Sequence, residues 1–214
     1  MKGIKITIIS DIAHFKSSLN SAYQTSYKIP PISTVVGILK NIFGEEIQNI
    51  KFGYSFEYID SNFHICTHKK VNAKFEKDKN DTVVTNNLLE YLESAVLRIY
   101  IIDEDSLEIK FKDILNLGKT DCLGFAEFEE IEIEKTESVA YNIYTEMMDG
   151  DGVITKITSE TNFNIDLGRY MYNYKMVRLN EEVLCKYSCE EEGIYFWEYN
   201  KEIKERVRCY KELE

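Results

Sequence analysis

His14, Lys16, Tyr23, Tyr27 and Lys28 place cations beside aromatic rings within one short polar stretch. Cations neutralise phosphates and rings stack on splayed bases, which is the chemistry of single-stranded RNA binding. The same composition also fits an ordinary polar loop. A second candidate is Leu117-Gly118-Lys119-Thr120-Asp121. There Gly118 lets backbone N–H groups approach a phosphate and Lys119 adds charge; the plainer alternative is a helix end with an exposed lysine. The run lacks the GxxxxGK(S/T) spacing, so nucleotide hydrolysis is not indicated.

The remaining reactive residues are dispersed. His64, Cys66 and His68 alternate along an expected strand, but no fourth ligand follows at zinc-site spacing, so they read as structural or surface residues. Cys185 and Cys189 have no partner pair. The carboxylates of residues 127–137 alternate as a solvated strand face does, and no GxSxG elbow occurs. His14 and Lys119 are suited to acid–base cleavage at a 2′-hydroxyl if the fold brings them together. Sequence thus indicates no catalytic set, no metal site and no cofactor.

The elements that must position these groups follow from periodicity. Ile4, Ile6 and Ile8 alternate with Lys5 and Thr7, a half-buried strand over residues 2–10. Residues 11–29 lack a helical period and read as a long ordered loop. Pro30 and Pro31 impose an extended entry, and Ser33 or Thr34 is suited to cap a helix. Val35, Ile38, Leu39, Ile42 and Phe43 then follow the amphipathic spacing, and Gly44 suits the position after the last turn. Gly37 sits mid-helix, where close approach of another backbone would account for it. Strands are expected at 51–59, 63–75, 95–102 and 125–134, and helices at 87–93, 106–116 and 201–213. Residues 147–152, MMDGDG, read as a tight turn.

The order strand, helix, two strands, excursion, strand, helix, strand over residues 1–134 is that of a ferredoxin-like or RRM-like domain. The fold class expected is therefore α+β, with a strand-rich extension over 135–214 ending in a helix. At 214 residues and 44% hydrophobic the chain can bury a substantial core. It has no apolar run of about 18 residues. Its five cysteines fit reduced thiols in the cytoplasm better than a disulfide framework. A net charge of −11 disfavours non-specific polyanion binding, but the charge is uneven. Residues 1–80 carry 11 Lys and Arg against 7 Asp and Glu, and residues 81–214 carry 15 against 30. A polyanion site should be local and N-terminal.

The first strand, Phe15-Lys16, the entry Tyr27-Lys28-Ile29-Pro30-Pro31 and the helix Thr34-Val35-Val36-Gly37-Ile38-Leu39 ending at Gly44 resemble the N-terminus of the fifth CRISPR-associated (Cas) family, of the RAMP superfamily. The LGKTD turn at 117–121 resembles that family's glycine-containing loop before the last strand of its first domain. The resemblance implies a non-catalytic subunit of a type I, I-B-like Cascade complex in antiviral defence. Such a subunit grips the five-prime handle of the CRISPR RNA (crRNA) and caps the row of backbone subunits. It implies crRNA, the Cascade backbone subunits and the large subunit as partners, with no membrane. Lys16, Tyr27, Lys28, Gly118 and Lys119 would hold the RNA, and residues 69–92 would form a thumb. A subtype of the family instead processes crRNA as a metal-independent endoribonuclease using Tyr, Lys and His. Here Tyr27 and Lys119 are present, but Thr120 stands where that subtype has the histidine.

Overall fold

The computed structural model describes residues 1–17, 23–44, 47–71, 82–102, 107–110, 114–201 and 207–210. Strand β1 (Lys2–Ala13) buries Ile6 and Ile8 completely and runs three residues further than alternation indicated. A two-residue strand, β2 (Tyr23–Gln24), lies inside the segment expected as loop. Helix α1 (Ile32–Phe43) is followed by β3 (Asn49–Glu57), β4 (Asp60–Val71), β5 (Thr82–Ile102), β6 (Ile114–Asn116) and β7 (Leu123–Glu132). The central strands run β3-β5-β1-β7, and β5 is antiparallel to both β1 and β3. That is the split β-α-β arrangement of a ferredoxin-like or RRM-like sheet. The fold is α+β, mostly antiparallel, with α1 the one helix among the described residues.

The extension supplies a second sheet of β8 (Ser138–Thr145), β9 (Val153–Asn164) and β10 (Arg169–Cys185), ordered β8-β10-β9. A short ribbon follows, β11 (Tyr187–Cys189) with β12 (Glu192–Ile194). Then β13 (Trp197–Asn200) and β14 (Val207–Cys209) return to the first sheet, β13 pairing with β3. Trp197, Tyr199, Ile157 and Val177 join one buried cluster with β1, α1 and β3. The later half of the chain therefore packs against the sheet built by the first half. The 147–152 turn forms between β8 and β9, with the Asp149 N–H donating to the Glu146 carbonyl and Gly150 at φ 78°.

The three further helices expected from sequence are corrected over their described residues; residues 106, 111–113, 202–206 and 211–213 lie outside these. Residues 87–93 belong to β5, where the consecutive residues Leu89, Glu90, Tyr91 and Leu92 are all buried, so both faces are covered here. Burial on both faces erases strand alternation and leaves Leu88, Leu89 and Leu92 at helix-like spacing. In 106–116, residues 107–110 are not helical and Ile114–Asn116 is β6, paired with β7. In 201–213, Val207–Cys209 is β14, held by β13 and by the Arg208–Glu198 ion pair at 2.8 Å. The candidate thumb resolves into a hairpin in which β4 pairs with the first half of β5, from Asp60↔Glu93 to Val71↔Thr82. Residues 72–81 of that candidate lie outside the described residues.

Helix α1 matches its amphipathic pattern, burying Ile32, Val35, Val36, Ile38, Leu39, Ile42 and Phe43. It starts earlier than expected. Pro31 is the N-cap, and no side chain caps the first turn, so neither Ser33 nor Thr34 plays that part. Gly44 closes the helix at φ 100° with its N–H on the Lys40 carbonyl at 2.8 Å. The reading of Gly37 is also corrected, because an added Cβ there would meet nothing within 4 Å. No backbone approaches, and the glycine only weakens the helix. Gly37→Ala is therefore expected to stabilise the protein by about 1 kcal/mol. The check is a higher urea midpoint with an unchanged denaturant slope. No helix among the described residues is long and apolar enough to cross a membrane.

Candidate nucleic-acid interface

The register of the sheet explains how two distant motifs meet. β1 pairs antiparallel with β7 up to Ser10↔Gly124. The chain leaving β1 must therefore pass the turn that enters β7. The His14 N–H donates to the Leu117 carbonyl at 3.2 Å, and the Leu117 N–H to the Cys122 carbonyl at 2.8 Å. Gly118 sits at φ 92°, and a Cβ on it would lie 2.1 Å from the His14 carbonyl oxygen. Glycine is thus required by the packing itself, whatever approaches from solvent.

A cleft of about 360 Å³ opens at this junction. Lys16, Gly118 and Lys119 line it, with His14 behind them and Pro31, Ser33 and Thr34 of the α1 N-terminus at one side. Thr158 and Thr161 of β9 and Tyr172 of β10 close the other side. The first turn of α1 has neither a capping side chain nor an acidic residue. Its free N–H groups and positive dipole end therefore favour an anion, and two lysines add to that field. A more open groove of about 600 Å³ continues along α1 past Gly37, Lys40 and Asn41, sharing Ser33, Thr34, Gly118 and Thr161 with the cleft.

The two lysines differ in state. Lys16 is exposed, and its ammonium has no partner among the described residues. The Lys119 ammonium donates to the Tyr91 hydroxyl and to Asp121 Oδ2, both at 3.0 Å, and the Tyr91 hydroxyl donates to the same Asp121 oxygen at 2.9 Å. Burial opposes the Lys119 charge, but these two hydrogen bonds outweigh it and hold its pKa above the ordinary lysine value. Burial likewise disfavours the Asp121 charge, yet Lys119 and Tyr91 keep its pKa below the ordinary carboxylate value. Lys119 is thus a fixed, oriented cation whose charge Asp121 partly offsets.

His14 is 3% exposed. Its Nδ1 lies 2.7 Å from the Glu90 carbonyl, which only accepts, so Nδ1 carries the hydrogen. Burial lowers the His14 pKa, and nearby Lys119 pushes it the same way, so the ring is neutral at physiological pH. Its Nε2 is enclosed, with no hydrogen-bond partner among the described residues.

Tyr27 and Lys28 do not line the cleft. The Tyr27 hydroxyl donates to the Lys156 carbonyl at 3.1 Å and so ties the entry to α1 onto β9. The Lys28 ammonium donates to Glu90 Oε1 at 2.6 Å and to Ser61 Oγ at 3.1 Å, beside the Tyr58 ring. His64 and Cys66 share a face of β4, where both approach Tyr91; the His68 side chain lies outside the described residues. Among the described residues no group of three or more His, Cys, Asp or Glu is arranged to hold a metal ion. Sequence reasoning missed Thr158, Thr161 and Tyr172. Their one visible signal is the alternation Tyr170, Tyr172, Tyr174.

No family model matches the chain, and no curated protein does. Solved structures do. One chain of the Type III-B Cmr-beta complex bound to cognate target RNA is 13% identical, over 84% of this chain and 86% of that one, with a TM-score of 0.52. A chain of the same complex bound to cognate target RNA and AMPPnP is 12% identical, over 84% and 85%, with a TM-score of 0.50. The likeness is one of fold.

Proposed function

We propose that this protein is a non-catalytic RNA-binding subunit of a CRISPR RNA-guided complex and serves antiviral defence in the cytoplasm. It grips the five-prime handle of crRNA in the cleft at the N-terminus of α1 and caps the row of backbone subunits in a type I-B-like Cascade. The large subunit is its further neighbour. The observation that carries this reading is the convergence of Lys16 and Lys119, from segments about a hundred residues apart, on an uncapped helix N-terminus. The fold shared with chains of RNA-bound Cmr-beta complexes supports an RNA-guided assembly. The N-terminal motif is what favours type I over type III.

Lys16→Ala combined with Lys119→Ala tests this. A charge-assisted hydrogen bond to phosphate is worth about 1.5–3 kcal/mol. The pair is therefore expected to cut crRNA retention in the purified complex by at least about a hundred-fold. The salt dependence of handle binding should also become shallower, by roughly 0.7 in log–log slope for each phosphate no longer neutralised. Unchanged retention and unchanged slope would remove the site.

A second reading, a metal-independent crRNA-processing endoribonuclease, has one observation in its favour. His14 and Lys119 line the same cleft, and His14 is in the neutral form a general base needs. Against it, Nε2 is enclosed and Thr120 follows Lys119. Specific cleavage of repeat RNA by the purified protein in EDTA, abolished by His14→Ala, would establish this second reading over the first.

A further inference from the structure

The cleft does not end at Lys119. Tyr172 lines it from β10 and is 52% exposed; Tyr174, two residues on, is 41% exposed. Residues two apart on a strand share a face and stand roughly 7 Å apart. Across the ribbon Tyr172 faces Thr161 and Tyr174 faces Thr158, with Ser159 as the extra residue between them, so the face is preserved through the bulge. Small threonines opposite large rings leave the rings open. Lys156 Nζ sits over the Tyr174 ring, 4.1 Å from its centre, which sets a cation against one face of that ring. The Tyr27 hydroxyl anchors the same stretch of β9 to the body through the Lys156 carbonyl.

Charge separates a nucleic-acid face from a protein-binding one. The chain has a net charge of −11, yet residues 153–179 hold four Lys and Arg against two Asp and Glu, although Lys175 among them is turned from the tyrosine face onto Glu146. An exposed row of aromatic rings on a locally basic ribbon, continuous with an anion-favouring cleft, has the two features of a single-strand platform. We infer that Tyr172 and Tyr174, with Lys156, stack unpaired bases of the RNA strand whose phosphates lie at Lys16 and Lys119. This rests on the RNA-binding reading above and adds to it a base-contacting surface in the acidic second half of the chain.

The test uses the full chain and two probes: a fluorescein-labelled single-stranded oligouridine of roughly ten nucleotides, and an abasic ribose-phosphate strand of equal length. Tyr172→Ala with Tyr174→Ala is expected to weaken oligouridine binding about ten- to a hundred-fold. It should leave abasic-strand binding and the salt slope unchanged. Tyr172→Phe with Tyr174→Phe keeps the rings and should bind oligouridine as the parent protein does. Both tyrosines are exposed, so folding is expected to survive; the abasic strand reports this directly. Full oligouridine affinity in the alanine pair, with loss in Lys16→Ala/Lys119→Ala, overturns the platform and leaves the cleft standing. Equal loss on both probes also overturns it, because the tyrosines would then act through the fold. A parent protein that binds neither strand at low salt defeats the RNA reading itself. If the alanine pair loses a partner subunit while keeping oligouridine affinity, the face belongs to protein association and the inference fails.

Discussion

Gly118→Ala is expected to lower stability by about 3 kcal/mol or more, although it adds a single methyl group. Two costs combine. A left-handed conformation at φ 92° costs a residue with a Cβ roughly 1–2 kcal/mol. The Cβ also lands 2.1 Å from the His14 carbonyl oxygen, well inside any allowed approach. A flexible side chain would swing away, but this neighbour is backbone. His14 and Phe15 are buried, and the His14 N–H is bonded to Leu117, so the strand can yield only by breaking that bond. Overpacking of this kind adds about 1–3 kcal/mol.

The damage should be local to the cleft at first. Hydrogen exchange at the amides of His14 and Leu117 should rise before that of the β1–β5 ladder, because the His14 amide donates across the junction that Gly118 closes and the Leu117 amide closes the adjoining 117–122 turn. RNA binding should fall with them, since Lys16 and Lys119 flank the same junction. A Gly118→Ala protein with parental stability and exchange would mean that the 117–122 turn rests on His14 more loosely than these distances require.

How much of this was legible depended on where each element's partner lay. β1 and α1 declare themselves because each buries one face and exposes the other, so Ile6 and Ile8, or Val35, Leu39 and Ile42, show the period in local sequence. β5 between residues 87 and 93 does not, because Leu89, Glu90, Tyr91 and Leu92 are all buried in succession, so neither face stands out by polarity. Val207–Cys209 became a strand because β13 offered an edge, which apolar spacing within 201–213 cannot reveal. The site divides in the same way. Lys16, Gly118 and Lys119 were visible as residue types with a chemistry, and their meeting follows from the β1–β7 register. Thr158, Thr161 and Tyr172 reach the cleft through a second sheet packed on the first, a relation with no local signature. Lys28 shows the converse. Its type suited RNA, but the fold commits it to Glu90, a carboxylate whose burial only tertiary structure discloses.

That commitment gives Lys28→Met a large expected effect with a distinctive pH dependence. The Glu90 side chain is 8% exposed and that of Lys28 44%, so the pair is buried at one end and wet at the other. Removing the cation strands a buried carboxylate. The usual cost of several kcal/mol, reduced here by solvent at the lysine end, comes to about 2 kcal/mol at neutral pH. In the parent protein, burial acts to raise the Glu90 pKa. The Lys28 ammonium and the Ser26 N–H at 3.0 Å outweigh burial and hold the pKa below 4.5. The folded value is below the unfolded one, so Glu90 contributes stability above 4.5 that is lost as pH falls through its folded pKa. In Lys28→Met burial prevails and the order reverses. The folded pKa then exceeds the unfolded one, and the ionised carboxylate destabilises the fold until acid protonates it. The gap between parent and variant should therefore be widest at neutral pH and close as pH falls below 4.5. Glu90→Gln in the Lys28→Met background should recover most of the loss at neutral pH, since the amide can still accept the Ser26 N–H without a buried charge. Urea denaturation of the four proteins of this cycle at neutral and acid pH measures all of these terms. A loss in Lys28→Met that does not vary with pH would show that the lysine acts through packing on Tyr58 rather than through the Glu90 charge.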